Sequence, residues 1–484
     1  MKKTALLLAA VLAIGGVSGC KKQKTAKEGD VPTLVWYVPG DKQKDMQTVM
    51  DAANEIVEKE IGARIDLQML DTGAYAEKMQ MMMAAQEEFD LMFTGYINTF
   101  DSCVSRGGLM DITDIISEYT PQLIDDMPEY AKSSAYHDGK VYAIPNLQVV
   151  ATKNSISVRH DLVEEFGLDL DTIKSPTDLE PFYDWVLKEH PEVFPMRAIN
   201  MGRALPSNCF RIQDNYVIKI DDLTDGDDSV TIIDEYAFDE TYRNAKQLWD
   251  WYQKGYIRKD VMTTSNDNAD YSAGKYATFY TNWKPGAEAD IENSLGVKYD
   301  VIKTDIPVVA TSSRGTMIGV SSTSKHPVEA VKFINLINTN KELYHIICMG
   351  VKGKHYELDS EGKAGVIPDG GYNQDNGDWK FGNSFNALVK TGQDSSVIAD
   401  TKQLNEGALT HPLLGFSFDN SKVSAEFAAV ETILSQYNVR LYGAQDPDEY
   451  WNEMQQKLEI AGQSKIVKEY QRQVDEYIAN IKQQ

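Results

Sequence analysis

The stretch LVWYVPG, residues 34–40, is an apolar run of β-branched and aromatic residues that stops at a Pro-Gly pair. Such a run reads as a buried strand ended by a turn. Beyond it, Met46, Val49, Met50, Ala53 and Val57 recur at helical spacing, and Gly62 ends that helix. ARIDLQML (63–70) alternates as a second strand. Tyr75, Met79, Met82 and Met83 mark a second helix, with the Met stripe read as core, and FDLMF (89–93) a third strand. Strands alternating with helices imply a parallel sheet covered on both faces, so the fold class is α/β. Ligands of open α/β sheets sit beyond the carboxyl ends of the strands. That makes Tyr37, Val38, Pro39 and Gly40 candidates after the first strand, and Thr94, Gly95, Tyr96 and Asn98 after the third.

Further on, DGKVYAIPNLQVVATKNSISVRH (138–160) holds two extended runs around Pro145, and a helix follows at 161–166. SPTDLEPFYDWVLKEH (175–190) reads as a helix capped by Ser175 or Thr177. In the helix over 241–255, Tyr242, Ala245, Leu248, Trp249 and Tyr252 form the expected core face. Val467, Tyr470, Val474, Tyr477 and Ile481 form a stripe that packs on its own domain, too short for a coiled coil. The acidic segment DDLTDGDDSVTIID (221–234) fails as an EF-hand loop, because Leu223 offers no oxygen at the third position; it reads as an acidic hairpin insertion.

The 484 residues carry 48 Lys and Arg against 73 Asp and Glu, a net charge of -25, which argues against nucleic-acid binding and broad adhesion to anionic lipid. At 42% hydrophobic residues the chain can build a large core, in two or three domains. The start, MKKTALLLAAVLAIGGVSGCKK, has a basic tip and an apolar run of about 13 residues, too short to span a bilayer and typical of a signal peptide. Val17-Ser18-Gly19-Cys20 resembles the lipobox of bacterial lipoproteins, in which the cysteine carries a diacylglycerol. The polar stretch after Cys20 reads as a tether. Cys103, Cys209 and Cys348 are too few and too scattered for a disulfide framework or a zinc site, and read as small buried residues.

The order of these pieces resembles the family-one extracellular solute-binding proteins of ABC importers, the maltose-binding-like type. YAEKMQMMMAAQEEFDLMFTG (75–95) looks like that family's helix leading into its third strand. GLMDITDII (108–116), DGKVYAIPN (138–146), and DLVEEFGLD (161–169) followed by SPTDLEPFYDWV look like its successive blocks. In the last of these Leu179 follows Asp178 where the family commonly has Trp. GKYATFYTNWKPG (274–286) resembles its return strand and SSTSKHPVEAVKFINLI (321–337) a following helix. The tail from His411 is similar to a C-terminal region of unknown function found on such lipoproteins.

The resemblance implies two α/β lobes of the periplasmic-binding-protein type, joined by hinge strands, with the ligand between them. It implies a signal peptide at 1–19 and a lipidated tether at 20–30. Lobe one is expected at 31–147 plus 276–311. Lobe two is expected at 148–275 plus 312–484, with 411–484 mainly helical. The implied function is capture of a small solute, a carbohydrate or oligosaccharide, for delivery to ABC permease subunits. No catalysis, cofactor or metal is expected. The protein is expected as a monomer on the extracytoplasmic face of the cell membrane, held only by its lipid.

Sugars offer apolar C–H faces to aromatic rings and hydroxyl rims to polar groups, so both kinds of side chain are sought at the cleft. Trp283, Tyr280, Asn282 and Lys284 on the return strand are candidates, with Asn146 and Gln148 at the first crossing. In GDWKFGNSF (377–385), Trp379, Phe381 and Asn383 lie outside any helical or strand period, and loop aromatics point to binding. A surface glycoside hydrolase or a ligand-sensing receptor partner is the alternative. The hydrolase needs a carboxyl pair, which a chain this acidic always supplies, and no nucleophile elbow, zinc helix or P-loop motif appears. His137 and His355 read as structural.

Overall fold

The computed structural model describes residues 31–481 except 206–207, 214, 221–229, 265–266, 303–307 and 438–439. The signal segment, Cys20, its tether and most of the acidic insertion lie outside the described residues.

The alternation in TLVWYVP and RIDLQML builds the first lobe. Thr33–Pro39 runs parallel to both Arg64–Leu70 and Leu91–Gly95. Thr316–Val320 joins antiparallel to Leu91–Gly95, and Ala143–Pro145 completes a five-stranded sheet. The central strands Leu91–Gly95 and Thr316–Val320 are buried at every position, which is why they read as unbroken apolar runs. Helix Met46–Ile61 lays Val49, Met50, Ala53 and Val57 on the sheet and stops at Gly62, whose φ of 67° caps it in the left-handed region. Helices Pro327–Thr339 and Lys341–Met349 share the same core, where Trp36 meets Phe333 and Phe381 edge-on.

The second lobe has Ala151–Arg159 between Tyr299–Ile302 and Tyr276–Trp283, with Phe194–Met196 at the edge. Ser175 caps a short 3-10 turn, Pro176–Leu179, that leads into helix Glu180–Glu189. In helix Asp239–Lys254 the buried positions are Ala245, Leu248 and Trp251. Of the two tryptophans expected in the core, Trp251 is fully buried and its indole N–H donates to Glu180 at 2.8 Å, whereas Trp249 is only half-buried and stacks on Tyr252.

The expected lobe boundaries are corrected by strand pairing. Tyr276–Trp283 pairs with 153–158 and Tyr299–Ile302 with 156–159, so the described residues of 276–311 belong to lobe two. Thr316–Val320 pairs in the first sheet, and the chain from there to Leu388 packs in the first core. Among the described residues, lobe one is therefore 31–145 plus 316–388, and lobe two lies within 151–310 plus 397–481. Periodicity marks a strand but not the sheet it will join, so it could not settle this.

The C-terminal helices Ser424–Tyr437, Pro447–Ala461 and Gln463–Ile481 enclose a third core on lobe two. That core includes a three-stranded sheet of Cys209–Gln213, Tyr216–Lys219 and Ile233–Asp234. Tyr470 and Val474 of the expected stripe are buried in it, and Phe418 stacks on Tyr470 at 4.2 Å.

Candidate functional site

The crossings between lobes are built from buried backbone held by one side chain. Asn405, 2% exposed, accepts the Val150 and Ala151 N–H groups at 2.9 and 3.2 Å through Oδ1. Its Nδ2 donates to the Gln148 carbonyl at 2.8 Å and to the Tyr130 hydroxyl at 3.2 Å. Beside it the Thr311 N–H donates to the Val150 carbonyl at 2.7 Å, tying two crossings together.

At the end of Leu91–Gly95, Gly95 has φ 151°, and a Cβ there would collide with the Gly315 carbonyl. This close approach lets the Tyr96 N–H donate to Gly315 at 2.9 Å, so the turn lies directly on the crossing. Tyr96 is 57% exposed, with its ring 5.6 Å from Trp379 and 5.7 Å from Phe93. Two candidates far apart in the chain, Tyr96 and Trp379, are thus brought together as an aromatic rim on lobe one.

On lobe two, Tyr280 and Asn282 share one face of their strand and line a cavity of about 550 Å³ with Asn154, Arg203, Tyr236 and Tyr442. That volume suits a small ligand. The Tyr280 hydroxyl lies 2.7 Å from Asn154 Oδ1 and 2.5 Å from Asn282 Oδ1. Burial pushes the pKa of this phenol up, and the Arg203 guanidinium, which donates to it, pulls it back. Arg211 pairs with Glu235 in the same wall. Where the lobes meet, a second space of about 220 Å³ is lined by Gln148, Trp379 and Phe385 on one side and Lys284 and Asp290 on the other. Gln148 Nε2 donates to Thr316 at 2.7 Å, and Lys284 pairs with Asp290 at 2.6 Å.

Several expected contacts are corrected. Phe381 is fully buried against Trp36, because Gly382 (φ 65°) turns its loop onto helix Pro327–Thr339. Asn146 is 1% exposed and wholly engaged: Nδ2 donates to the Trp379 carbonyl and Oδ1 accepts the Gly382 N–H, both at 3.1 Å. It positions the Trp379 loop. Asn383 caps the 3-10 turn Ser384–Asn386 through the Phe385 N–H and donates to the Asn338 carbonyl. Pro39 is buried, and its carbonyl accepts Lys380 Nζ at 3.0 Å. Tyr37 leans on Phe89, before the amino end of the neighbouring strand and so away from the cleft. Burial raises its pKa, helped by the Asp66 and Glu87 carboxylates. Asn98 closes the Tyr96 turn in the left-handed region (φ 52°), its Oδ1 accepting from Gln80 at 3.1 Å.

Trp283 faces away from Tyr280 and Asn282, as a strand period of two requires, and lines a separate space of about 490 Å³ with Pro285, Val308 and Leu404. His355 is buried and accepts the Val351 N–H at 2.8 Å; His137 pairs with Asp101 at 2.8 Å. Both are structural, as expected. Cys103 and Cys348 are buried, whereas Cys209 is half-buried and lines the lobe-two cavity. Asn154, Arg203, Tyr236 and Tyr442 were not anticipated. Asn154 sits across the ladder from Asn282, a register visible only once the two strands are known to pair.

Two α/β lobes, hinge crossings between them, an aromatic rim on one and a polar cavity on the other define a two-lobed binding protein. The chain belongs to the bacterial extracellular solute-binding protein family, whose model matches residues 51–348. A second model, a domain of unknown function (DUF3502), matches residues 412–479. A carbohydrate ABC transporter substrate-binding protein of Streptococcus pneumoniae is 27% identical, over 98% of this chain and 97% of its own length. Among solved structures, the N-glycan transport solute-binding protein NgtS of Streptococcus pneumoniae superposes with a TM-score of 0.82 at 24% identity, covering 93% of this chain and 99% of its own. NgtS in complex with Man5GlcNAc superposes with a TM-score of 0.71, again at 24% identity and the same two coverages. Members of the family are substrate-binding components of ABC importers and perform no chemistry, which sets aside the hydrolase alternative.

Proposed function

We propose that this protein captures an oligosaccharide between its lobes and presents it to an ABC permease, while a lipid on Cys20 tethers it to the extracytoplasmic face of the membrane. The observation that carries the reading is the chemistry that each lobe offers. Tyr96 and Trp379 offer ring faces on lobe one, and Asn154, Arg203, Tyr280 and Asn282 offer hydrogen bonds on lobe two. That combination suits a ligand with apolar faces and hydroxyl rims. The relative of 27% identity supports the same class of ligand. A ligand touching both walls stabilises the closed arrangement by the contacts that the open one lacks, which is a shift of population.

The test is calorimetric titration of the mature protein with mannosyl-GlcNAc oligosaccharides and chitin oligosaccharides, with small-angle scattering on the same samples. Saturable binding with a smaller radius of gyration is expected. Binding of none of them, or steady release of cleaved sugar, would overturn the reading. Replacing Cys20 with Ala should release the protein from the membrane fraction while leaving affinity unchanged.

A further inference from the structure

Residues 412–479 match a domain to which no function is attached, yet the fold carries part of it into the lobe-two cavity. We propose that this C-terminal region is a wall of the ligand site, and that Tyr442 is a platform on which one unit of a bound oligosaccharide stacks. The inference rests on the reading of that cavity as the glycan site.

Tyr442 lines the cavity together with Tyr280, Asn282 and Arg203, although it follows them by well over a hundred residues. Its position is enforced by its neighbour. Gly443 has φ 91°, and a Cβ there would lie 2.5 Å from the Leu248 carbonyl oxygen. Only glycine lets the chain press onto helix Asp239–Lys254 at this point, and that approach brings Tyr442 to the cavity. The contact is then held by polar links just beyond Gly443. Lys246 on the helix reaches Asp446 at 2.8 Å and Asp448 at 2.9 Å, and the Tyr242 hydroxyl donates to Asp448.

The same region shapes a second cavity residue. Trp451 sets its ring 6.3 Å from Tyr236 and 5.3 Å from Tyr242, and Gln455 donates to the Tyr236 carbonyl. The C-terminal helix Pro447–Ala461 thus braces one aromatic residue of the cavity, and the turn before it supplies another. Tyrosine suits this task because it gives a large ring face and a polar tip at low cost in side-chain entropy. Tyr280 and Asn282 on the strand and Tyr442 on the appended region thus line the same cavity from two distant parts of the chain. On the oligosaccharide reading, the appended region sets how much of the ligand's length is held.

The experiment is titration of the mature wild type, Tyr442→Ala and Tyr442→Phe with the mannosyl-GlcNAc and chitin series from disaccharide upward. Tyr442→Ala is expected to raise Kd about tenfold for the longest tight ligand, and less for the disaccharide. Tyr442→Phe keeps most of the affinity, and the ligand-free melting temperature stays near wild type in both. Wild-type binding with equal Kd for Tyr442→Ala across the series overturns the inference and leaves the glycan reading standing. Absence of wild-type binding removes both. Should Tyr442→Ala fail to fold, Tyr442→Trp serves instead. Its added emission should shift on sugar addition beyond the wild-type change, and an unchanged difference spectrum overturns the proposal.

Discussion

Replacing Asn146 with Ala separates a positioning role from direct contact with ligand. The side chain is buried and closes two hydrogen bonds to backbone, the Trp379 carbonyl and the Gly382 N–H, each at 3.1 Å. Each buried polar group left without a partner costs about 1–3 kcal/mol. The deletion strands two of them, for about 2–6 kcal/mol, and a water entering the vacated space brings this down to about 2–4 kcal/mol. For a lobe of this size, that corresponds to a drop of roughly 5–10 °C in the lobe-one transition. Because the orphaned groups belong to the Trp379 loop, sugar affinity falls as well. Asn146→Asp keeps the acceptor for Gly382 but sets a carboxylate oxygen against the Trp379 carbonyl, so it recovers only part of the loss. Scanning calorimetry and titration on the same samples decide the matter. Unchanged melting with weakened binding would make Asn146 a direct contact and refute the reasoning.

Burial pushes the His411 imidazole down to about 4, the Ala310 carbonyl pulling weakly the other way. Between pH 6.5 and 4 the unfolded chain therefore binds a proton that the folded chain refuses, and stability falls as pH falls, by up to about 3 kcal/mol from this group. His411→Phe should flatten that part of the urea-midpoint profile; an unchanged slope would show that the imidazole is not the cause. Tyr280→Phe keeps the packed ring but removes the hydroxyl shared by Asn154, Asn282 and Arg203, so Kd should rise about tenfold with melting near wild type. By contrast, Trp283→Ala should leave Kd within about twofold, since its ring lines a different space; a large loss of affinity would place it in the cleft after all. Gly95→Val forces a side chain into the Gly315 carbonyl, and should lower the melting temperature and displace Tyr96, seen as weakened sugar binding.

What the sequence made legible was local. Alternation in 33–39 and 64–70, and the helical spacing from Met46 to Val57, depend on neighbours a few residues away, and those elements came out as read. Sheet membership depends on partners hundreds of residues off, so Tyr276–Trp283 was placed in the wrong lobe. The candidate site divides in the same way. Tyr96 followed from the rule that ligands sit at strand ends, and Trp379 from its loop, whereas their meeting at 5.6 Å did not. Trp283 is put forward by the resemblance, at the return-strand Trp beside Tyr280 and Asn282, although a two-residue period already sets it on the other face. Phe381 and Asn146 were misread because a loop without periodicity gives no sign of which side chains fold inward.

The pairing of Leu91–Gly95 with Thr316–Val320 bears on how the molecule is made. A polypeptide emerging amino end first exposes the central strand of its first sheet long before the partner for that strand exists. The whole second lobe, short of its last helices, must appear in between. Each half is thus kept waiting on the other during synthesis. Contacts of such long range form slowly. A fragment ending near residue 310 would strand an open β edge and should clump rather than fold.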